Sequence, residues 1–315
     1  MNPKLSIIIP LFNKKRHIAD TLDSVFKQTY SDFEIILVND GSTDGSLDII
    51  KRIKDGRLKI FTIENSGVSY ARNFGILRAS TDLIAFLDAD DLWLPNHLED
   101  LMQLHDSFPD CGLYCSSYLR RRDGLEIRPT FNTVPEDDSW SGVVSDYFRA
   151  SLTFPVAWTS AVMVPKRIFN LVGTFDTSIT LGAGEDTDLW IRIAKAHKVA
   201  LINRPSAIHQ LGADNRLTHT LPKNRVYINL DKFSVDAESN ASLKTYLEVQ
   251  RFAIALQYKM AGDKINFERI YQKIDRKALN WKQKLLLILP MSILLKMRKF
   301  QTFFLKRTIY LTAFR

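Results

Sequence analysis

Two carboxylates two residues apart follow an apolar run in the first third of the chain. The run covers residues 83–87, and Asp88-Ala89-Asp90 comes directly after it. Side chains two apart on an extended chain point the same way, so we expect both carboxylates to reach one cation. Mg²⁺ and Mn²⁺ bind carboxylates together with substrate phosphate oxygens. The spacing therefore predicts a metal site. The same acids would also suit the N-terminus of a following helix.

Another carboxylate ends a second apolar run, at residues 34–38. Asp40 follows this run, and Gly41 and Ser42 then give a tight turn. A carboxylate at a strand end can accept hydrogen bonds from a nucleobase N–H or from ribose hydroxyls. Asp40 is therefore a candidate for nucleotide binding, whereas Asp44 is interpreted as the cap of the next helix.

The elements that must position these acids alternate in type. Four runs rich in apolar and β-branched residues are predicted as strands: 5–9, 34–38, 58–63 and 83–87. Segments with helical spacing lie between them, among them 17–28 and 68–79. Strands alternating with helices predict a parallel sheet in an α/β domain, whose ligands bind beyond the carboxyl ends of the strands. The acidic strand ends should therefore share one edge.

The later part of the chain is predicted as mainly helical. Residues 187–196 have helical spacing, and so do residues 241–280. We expect a catalytic domain over residues 1–220 and a helical C-terminal region over 221–315, which ends in a basic amphipathic tail at 281–315.

Four motifs in order resemble those of family 2 glycosyltransferases, which are inverting enzymes with a GT-A fold. They are SIIIPLFN at 6–13, NDGSTDGS at 39–46, NSGVSYARNFG at 65–75 and DADD at 88–91. The resemblance implies a mostly parallel central sheet flanked by helices and a nucleotide-sugar donor. It also implies a divalent metal, Mn²⁺ or Mg²⁺, and a glycan or lipid-linked sugar acceptor. A role in bacterial surface-polysaccharide synthesis is the expected setting.

The resemblance also assigns roles to individual residues. The implied donor-binding residues are Pro10, Leu11, Phe12, Asn13, Asp40, Asn65, Arg72, Asp88 and Ala89. The implied metal ligands are Asp88, Asp90 and His209. Arg72 could instead form a structural ion pair, and a lone histidine is often an ordinary surface or core residue.

The resemblance also implies a catalytic base in an acidic pair late in the domain, which Gly184-Glu185-Asp186 matches. An inverting transfer needs a carboxylate to take the proton of the attacking hydroxyl, and a metal offsets the charge of the leaving diphosphate. The resemblance makes Asp186 the base and Glu185 a neighbour that positions it or the acceptor. Both acids would alternatively suit the N-terminus of the next helix.

The positive charge of the chain lies in its tail. The 315 residues carry 43 Lys and Arg against 35 Asp and Glu. Residues 281–315 hold eight of the basic residues and no acidic one, so the body is neutral, which argues against nucleic-acid binding. Leucines, aromatics and lysines together are typical of a helix lying in a membrane surface. We expect a cytoplasmic protein bound peripherally to the inner face of the cell membrane, although the tail could instead pack on the domain.

Two other functions stay open at this point. A nucleotidyltransferase would have a Gly-rich, Lys-containing loop after the first strand, and residues 10–15 contain no glycine. A dehydrogenase is not one of the two, because its G-x-G-x-x-G motif is missing from the same residues. A membrane-associated scaffold with an inactive transferase fold would lack some of the acids, whereas Asp40, Asp88, Asp90 and Asp186 are all present.

Overall fold

The computed structural model describes residues 3–216 and 220–305. Residues 306–315, the end of the predicted basic tail, lie outside the described residues. Ten strands are described: β1 (Leu5–Leu11), β2 (Phe33–Asp40), β3 (Leu58–Ile63), β4 (Leu83–Phe86), β5 (Leu92–Trp93), β6 (Leu113–Arg122), β7 (Leu125–Ile127), β8 (Ser141–Val143), β9 (Val162–Pro165) and β10 (Val199–Gln210).

The helices lie between and after these strands. The first seven are α1 (Ile18–Phe26), α2 (Ser46–Ile50), α3 (Val68–Arg78), α4 (His97–Ser107), α5 (Tyr147–Ala150), α6 (Lys166–Val172) and α7 (Glu185–Ala196). Five more follow the last strand: α8 (Ser234–Ser239), α9 (Ala241–Met260), α10 (Lys264–Tyr271), α11 (Trp281–Ile288) and α12 (Met291–Leu305). The predicted α/β class with a helical C-terminal extension is confirmed.

One sheet contains all ten strands, in the order β3-β2-β1-β4-β9-β6-β10-β5, with β7 beside β6 and β8 beside β10. The strands β3, β2, β1 and β4 are parallel to one another. The strand β9 runs antiparallel to both β4 and β6, whereas β6 and β10 are parallel. The sheet is therefore parallel in its first half, as predicted, and mixed in its second half.

Continuous apolar runs form the centre of the sheet. Every residue of β1 and β2 is buried, since these strands are covered on both faces. The edge strand β3 is only half-buried. The four predicted strands are confirmed to within one or two residues, and the helices predicted at 17–28, 68–79 and 187–196 correspond to α1, α3 and α7.

The chain around the acidic motif differs from the sequence-based expectation. The extended conformation expected through Asp88-Ala89-Asp90 is wrong, because the backbone N–H of Asp91 donates to the carbonyl of Asp88 at 3.0 Å and closes a turn. His209, an implied metal ligand, lies within the strand β10.

The long helix α9 joins the C-terminal region to the sheet domain. Leu243, Tyr246 and Leu247 belong to the main buried core. Other α9 side chains, among them Val249 and Phe252, form a second core with residues of the last helices. The helix is thus covered on two sides. In the described ranges, none of the helices is both long and apolar enough to pass through a bilayer.

A glycine in α3 sets how closely this helix lies on β1. A Cβ atom built on Gly75 would be 2.5 Å from Cγ2 of the buried Ile8. We predict that Gly75→Ala lowers the free energy of unfolding by about 1–2 kcal/mol, because overpacking outweighs the gain in helix propensity. Chemical denaturation measures the change. The control is Gly56→Ala, where a Cβ meets nothing within 4 Å; equal effects at both positions would contradict the packing argument.

Candidate active site

A cleft of about 420 Å³ opens where β1, β2 and β4 end. It is lined by all but one of the residues that the sequence predicted for the site: Pro10, Leu11, Phe12, Asp40, Asn65, Arg72, Asp88, Ala89, Asp90, Glu185, Asp186 and His209. The shared sheet edge places the strand ends together, and α7 adds the acidic pair from a distant part of the chain.

Asp40 holds the loop that starts α3. Its buried carboxylate accepts hydrogen bonds from the backbone N–H groups of Ser66 at 2.7 Å and Gly67 at 3.0 Å. This fixes Asn65 at the cleft wall. The role is structural, and it leaves each carboxylate oxygen with a further lone pair for a ligand.

Asn13 is the predicted donor-binding residue that does not line the cleft. It has a φ of 51°, in the left-handed region that asparagine tolerates. Its side-chain oxygen accepts the backbone N–H of Thr43 at 2.8 Å. Asn13 therefore ties the end of β1 to the loop after β2.

The acids of the turn after β4 are each paired. Asp88 accepts from Arg72 at 2.6 Å, and Asp90 accepts from Lys14 at 2.7 Å. Asp91 is buried and accepts from Ser160 Oγ at 2.7 Å and from the backbone N–H of Gln210 at 3.0 Å. Burial raises the pKa of Asp91, and the charges of its two acidic neighbours add to this. Asp91 thus anchors the turn, while Asp88 and Asp90 face the cleft.

Arg72 connects the acidic turn to the predicted catalytic pair. Its buried guanidinium contacts Asp88, and Nη1 lies 3.6 Å from Oε1 of Glu185. The guanidinium carbon is 5.2 Å from the ring centre of Phe175, which closes one side. Of its nitrogens, Nε and Nη1 lack hydrogen-bond partners. The two acidic groups, nearly a hundred residues apart, therefore share one cation.

Glu185 and Asp186 begin α7 after Gly184, which has a φ of 105°. Glu185 is buried, and burial raises its pKa to about 7, with a further contribution from the charge of Asp186. Asp186 is half-buried, and its Oδ1 accepts the backbone N–H of Thr187 at 2.6 Å. The more accessible carboxylate at the cleft wall is thus Asp186.

His209 is held by an arginine and a tryptophan. Its ring stacks on Trp158 with 4.7 Å between ring centres, and its Nε2 is 2.7 Å from Nη2 of Arg216. Burial lowers the pKa of His209 to about 3, and the charges of Arg216 and Arg120 act in the same direction. The imidazole is therefore neutral, and its Nε2 accepts a hydrogen bond from Arg216.

The predicted ligands do not converge as a three-residue metal centre. Within residues 3–216 and 220–305, no three His, Cys, Asp or Glu side chains are grouped to hold a metal ion. The cleft still suits Mg²⁺ or Mn²⁺ that arrives with a diphosphate, because such an ion needs only one or two protein carboxylates. Asp88 and Asp90 can supply them.

Several cleft residues were missed by the sequence reasoning, among them Lys14, Trp158 and Arg216. Lys14 lies three residues after the end of β1, so its closeness to the sheet edge where ligands of α/β domains bind was a usable signal. Trp158 and Arg216 lie outside any motif, and only the tertiary fold brings them to the cleft.

The Glycosyl transferase family 2 model matches residues 6–168, more than half of the chain. The chain belongs to glycosyltransferase family 2. This membership favours glycosyl transfer over the nucleotidyltransferase alternative.

Proteins named as glycosyltransferases are similar to this chain at moderate identity. Validoxylamine A glucosyltransferase of Streptomyces hygroscopicus subsp. jinggangensis (strain 5008) is 28% identical over 257 residues, which cover 73% of this chain and 60% of that enzyme. An uncharacterized glycosyltransferase of Rickettsia bellii (strain RML369-C) is 27% identical over 216 residues, covering 67% of this chain and 29% of that protein. The chain therefore spans less than two thirds of either relative.

The fold of this family 2 member is also found in solved structures. Crystallised S. aureus TarS 1-349 has a TM-score of 0.57 at 16% identity, covering 88% of this chain and 93% of that one. Its complex with UDP-GlcNAc has a TM-score of 0.56 at 16% identity, covering 87% and 74%. At this identity the likeness concerns the fold, and it agrees with the predicted GT-A architecture.

The central role of Arg72 gives a stability prediction. Arg72→Met should lower the free energy of unfolding by about 3 kcal/mol, because Asp88 and Glu185 lose their shared buried cation. Thermal and chemical denaturation measure this. Arg78→Met on the same helix is the control, since Arg78 is exposed and its guanidinium lies over the rings of Phe61 and Phe74. Similar losses in both variants would contradict the assignment.

Proposed function

We propose that the chain is an inverting, metal-dependent glycosyltransferase that moves one sugar from a nucleotide-sugar donor to a glycan or lipid-linked acceptor. The observation that carries the proposal is the joining of the acidic turn and the Glu185–Asp186 pair in one cleft through Arg72. Family membership and the UDP-GlcNAc complex of a protein with the same fold support the donor class.

The charge of the cleft supports the proposed metal. Burial raises the pKa of Asp91 and of Glu185, so neither counts as a full charge. The other acidic side chains of the wall still outnumber the basic ones: Asp40, Asp88, Asp90 and Asp186 against Lys14, Arg72 and Arg216. A nucleoside diphosphate is itself an anion, so an added cation is needed for it to bind beside these acids. When bound, a divalent ion supplies Lewis-acid stabilisation of the departing diphosphate. Asp88 and Asp90 are the proposed ligands. His209 would join them only if Arg216 gave up its hydrogen bond.

Asp186 is the proposed base. It lines the cleft and is the less buried of the two acids, so an acceptor hydroxyl can approach it and lose its proton to the carboxylate. Glu185, held beside Arg72, fixes the start of α7 and with it the direction of Asp186. The donor side is formed by Pro10, Leu11 and Phe12, with Asp40 and Asn65 facing the nucleoside.

The setting we propose is the synthesis of a bacterial surface polysaccharide at the inner face of the cell membrane. In this proposal residues 1–220 carry the chemistry, and residues 221–315 hold the enzyme at the membrane surface from the cytoplasmic side. A lipid-linked acceptor lies in that surface, so attachment would bring the enzyme close to its acceptor.

Removing the proposed base should separate binding from transfer. We predict that Asp186→Asn lowers kcat by roughly 10²- to 10⁴-fold, the usual contribution of a general base, while donor affinity stays within about twofold. A panel of nucleotide sugars, screened by thermal shift with Mn²⁺, identifies the donor for both measurements. Near-normal turnover in this variant would rule out Asp186 as the base. Donor binding without transfer in the unmodified chain would instead favour the scaffold alternative.

Changing a metal ligand should affect only metal-dependent binding. Asp90→Asn keeps the shape of the side chain and removes its charge. We predict at least roughly tenfold weaker donor binding with Mn²⁺ and little change when EDTA is present. Calorimetry with and without the ion measures both. The control is Asp110→Asn, an exposed aspartate outside the cleft. An unchanged response to Mn²⁺ would count against the ligand role.

A further inference from the structure

The helix α11 carries a row of exposed apolar side chains. Trp281, Leu285 and Ile288 are 70%, 39% and 69% exposed. They are four and three residues apart, so they lie on one face of the helix. Large apolar side chains that form a continuous exposed patch mark a binding surface, whereas single ones do not.

The opposite face of α11 fixes the direction of this row. Leu287 is buried in the second core with Val249 and Phe252 of α9. The side chain of Asn280 accepts a hydrogen bond from the backbone N–H of Gln283 at 2.9 Å. The side-chain Oε1 of Gln283 accepts one from the backbone N–H of Asn280 at 3.0 Å, which completes a capping box. The helix α11 therefore packs on α9 through one face, and its row of apolar side chains lies on another face, exposed to solvent.

The next helix repeats the pattern. On α12, Ile293, Met297 and Phe300 are exposed at the same spacing of four and three residues, while Leu294 is buried. Two consecutive helices thus each bury one side and expose an apolar row on another. We call these exposed side chains the apolar rows; they are Trp281, Leu285, Ile288, Ile293, Met297 and Phe300.

Basic residues surround the apolar rows. Arg276, Lys277, Lys284 and Lys296 are exposed, and residues 276–305 contain no Asp or Glu. A cleft of about 800 Å³ lies beside Trp281, between Arg276, Lys277 and Lys284. The partner of this surface must therefore be apolar and negatively charged at once.

We propose that the apolar rows and the basic residues around them dock on an anionic phospholipid bilayer, with both helices lying in its surface. The apolar side chains enter the boundary between headgroups and acyl chains, and the lysines and arginines meet the lipid phosphates. A second copy of the chain would bring like charge against like charge. The proposal deepens the membrane setting proposed above, and it does not require the chain to transfer a sugar.

The test uses the full chain and vesicles in a flotation assay. Vesicles of phosphatidylcholine with phosphatidylglycerol should bind the protein, vesicles of phosphatidylcholine alone should bind it at least roughly tenfold less, and salt should weaken binding. Ile288→Glu should reduce binding roughly tenfold or more, because it puts an acid in the row. Leu77→Glu is the matched control, since Leu77 is 79% exposed on α3. It should bind as the unmodified chain does.

Trp281 provides a second readout. Trp93, Trp158 and Trp190 are buried and Trp140 is partly buried, so Trp281 is the exposed tryptophan. Its emission should shift to shorter wavelength on anionic vesicles, and brominated lipid should quench it. Trp281→Phe should bind almost as well as the unmodified chain and lose the shift.

Three results would overturn the proposal. They are equal binding to neutral and anionic vesicles, undiminished binding of Ile288→Glu, and a concentration-dependent dimer that Ile288→Glu abolishes. The last would make the rows an interface between copies. Nucleotide-sugar binding and transfer to a water-soluble acceptor, measured without vesicles on the same variants, test the enzymatic proposal separately.

Discussion

The arrangement of the cleft depends on one buried cation. Arg72 lies on α3, yet it contacts Asp88 after β4 and approaches Glu185 at the start of α7. A buried guanidinium is stable only when carboxylates offset its lost hydration, and the carboxylates are stable for the same reason. The two acids come from a turn after β4 and from the start of α7, which are not joined by strand or helix hydrogen bonds. The guanidinium of Arg72, which contacts both acids, therefore fixes the distance between them. Both halves of the proposed chemistry therefore depend on α3 packing closely on β1, which Gly75 permits.

The start of α7 has a second support, from residues that follow residue 220. The backbone N–H of Ile228 donates to the carbonyl of Ala183 at 3.1 Å, and Lys232 pairs with the fully buried Asp188. A Cβ on Gly184 would lie 2.8 Å from Ile228. The segment after residue 220 thus packs against the turn that precedes Glu185 and Asp186. The C-terminal region consequently shapes the cleft as well as extending the chain.

Local pattern was enough to predict β1, β2 and β4, because fully buried parallel strands are continuous apolar runs. It was also enough to predict that Asp40, Asp88 and Asp90 lie close together, since the carboxyl ends of parallel strands meet at one edge of the sheet. The turn at Asp88–Asp91 was not predictable, because Ser160 and the backbone of Gln210 hold it from distant parts of the chain. The antiparallel pairing of β9 and the Arg216–His209 contact have the same origin. Long-range partners, rather than spacing, decide these features.

The two charged surfaces of the chain need to be kept apart. The cleft is acidic, and the apolar rows are set among basic residues and, in the proposal above, face an anionic bilayer. Such a bilayer would repel the cleft and its anionic donor if they lay close to it. Screening reduces this repulsion over about 8 Å at physiological ionic strength, and one helix is about 10 Å across. The helix α9 lies between the main core and the second core. Since α9 is about as wide as the screening length, it weakens the repulsion between a lipid surface on the side of the second core and the acidic cleft, which we propose binds a cation and a nucleotide sugar.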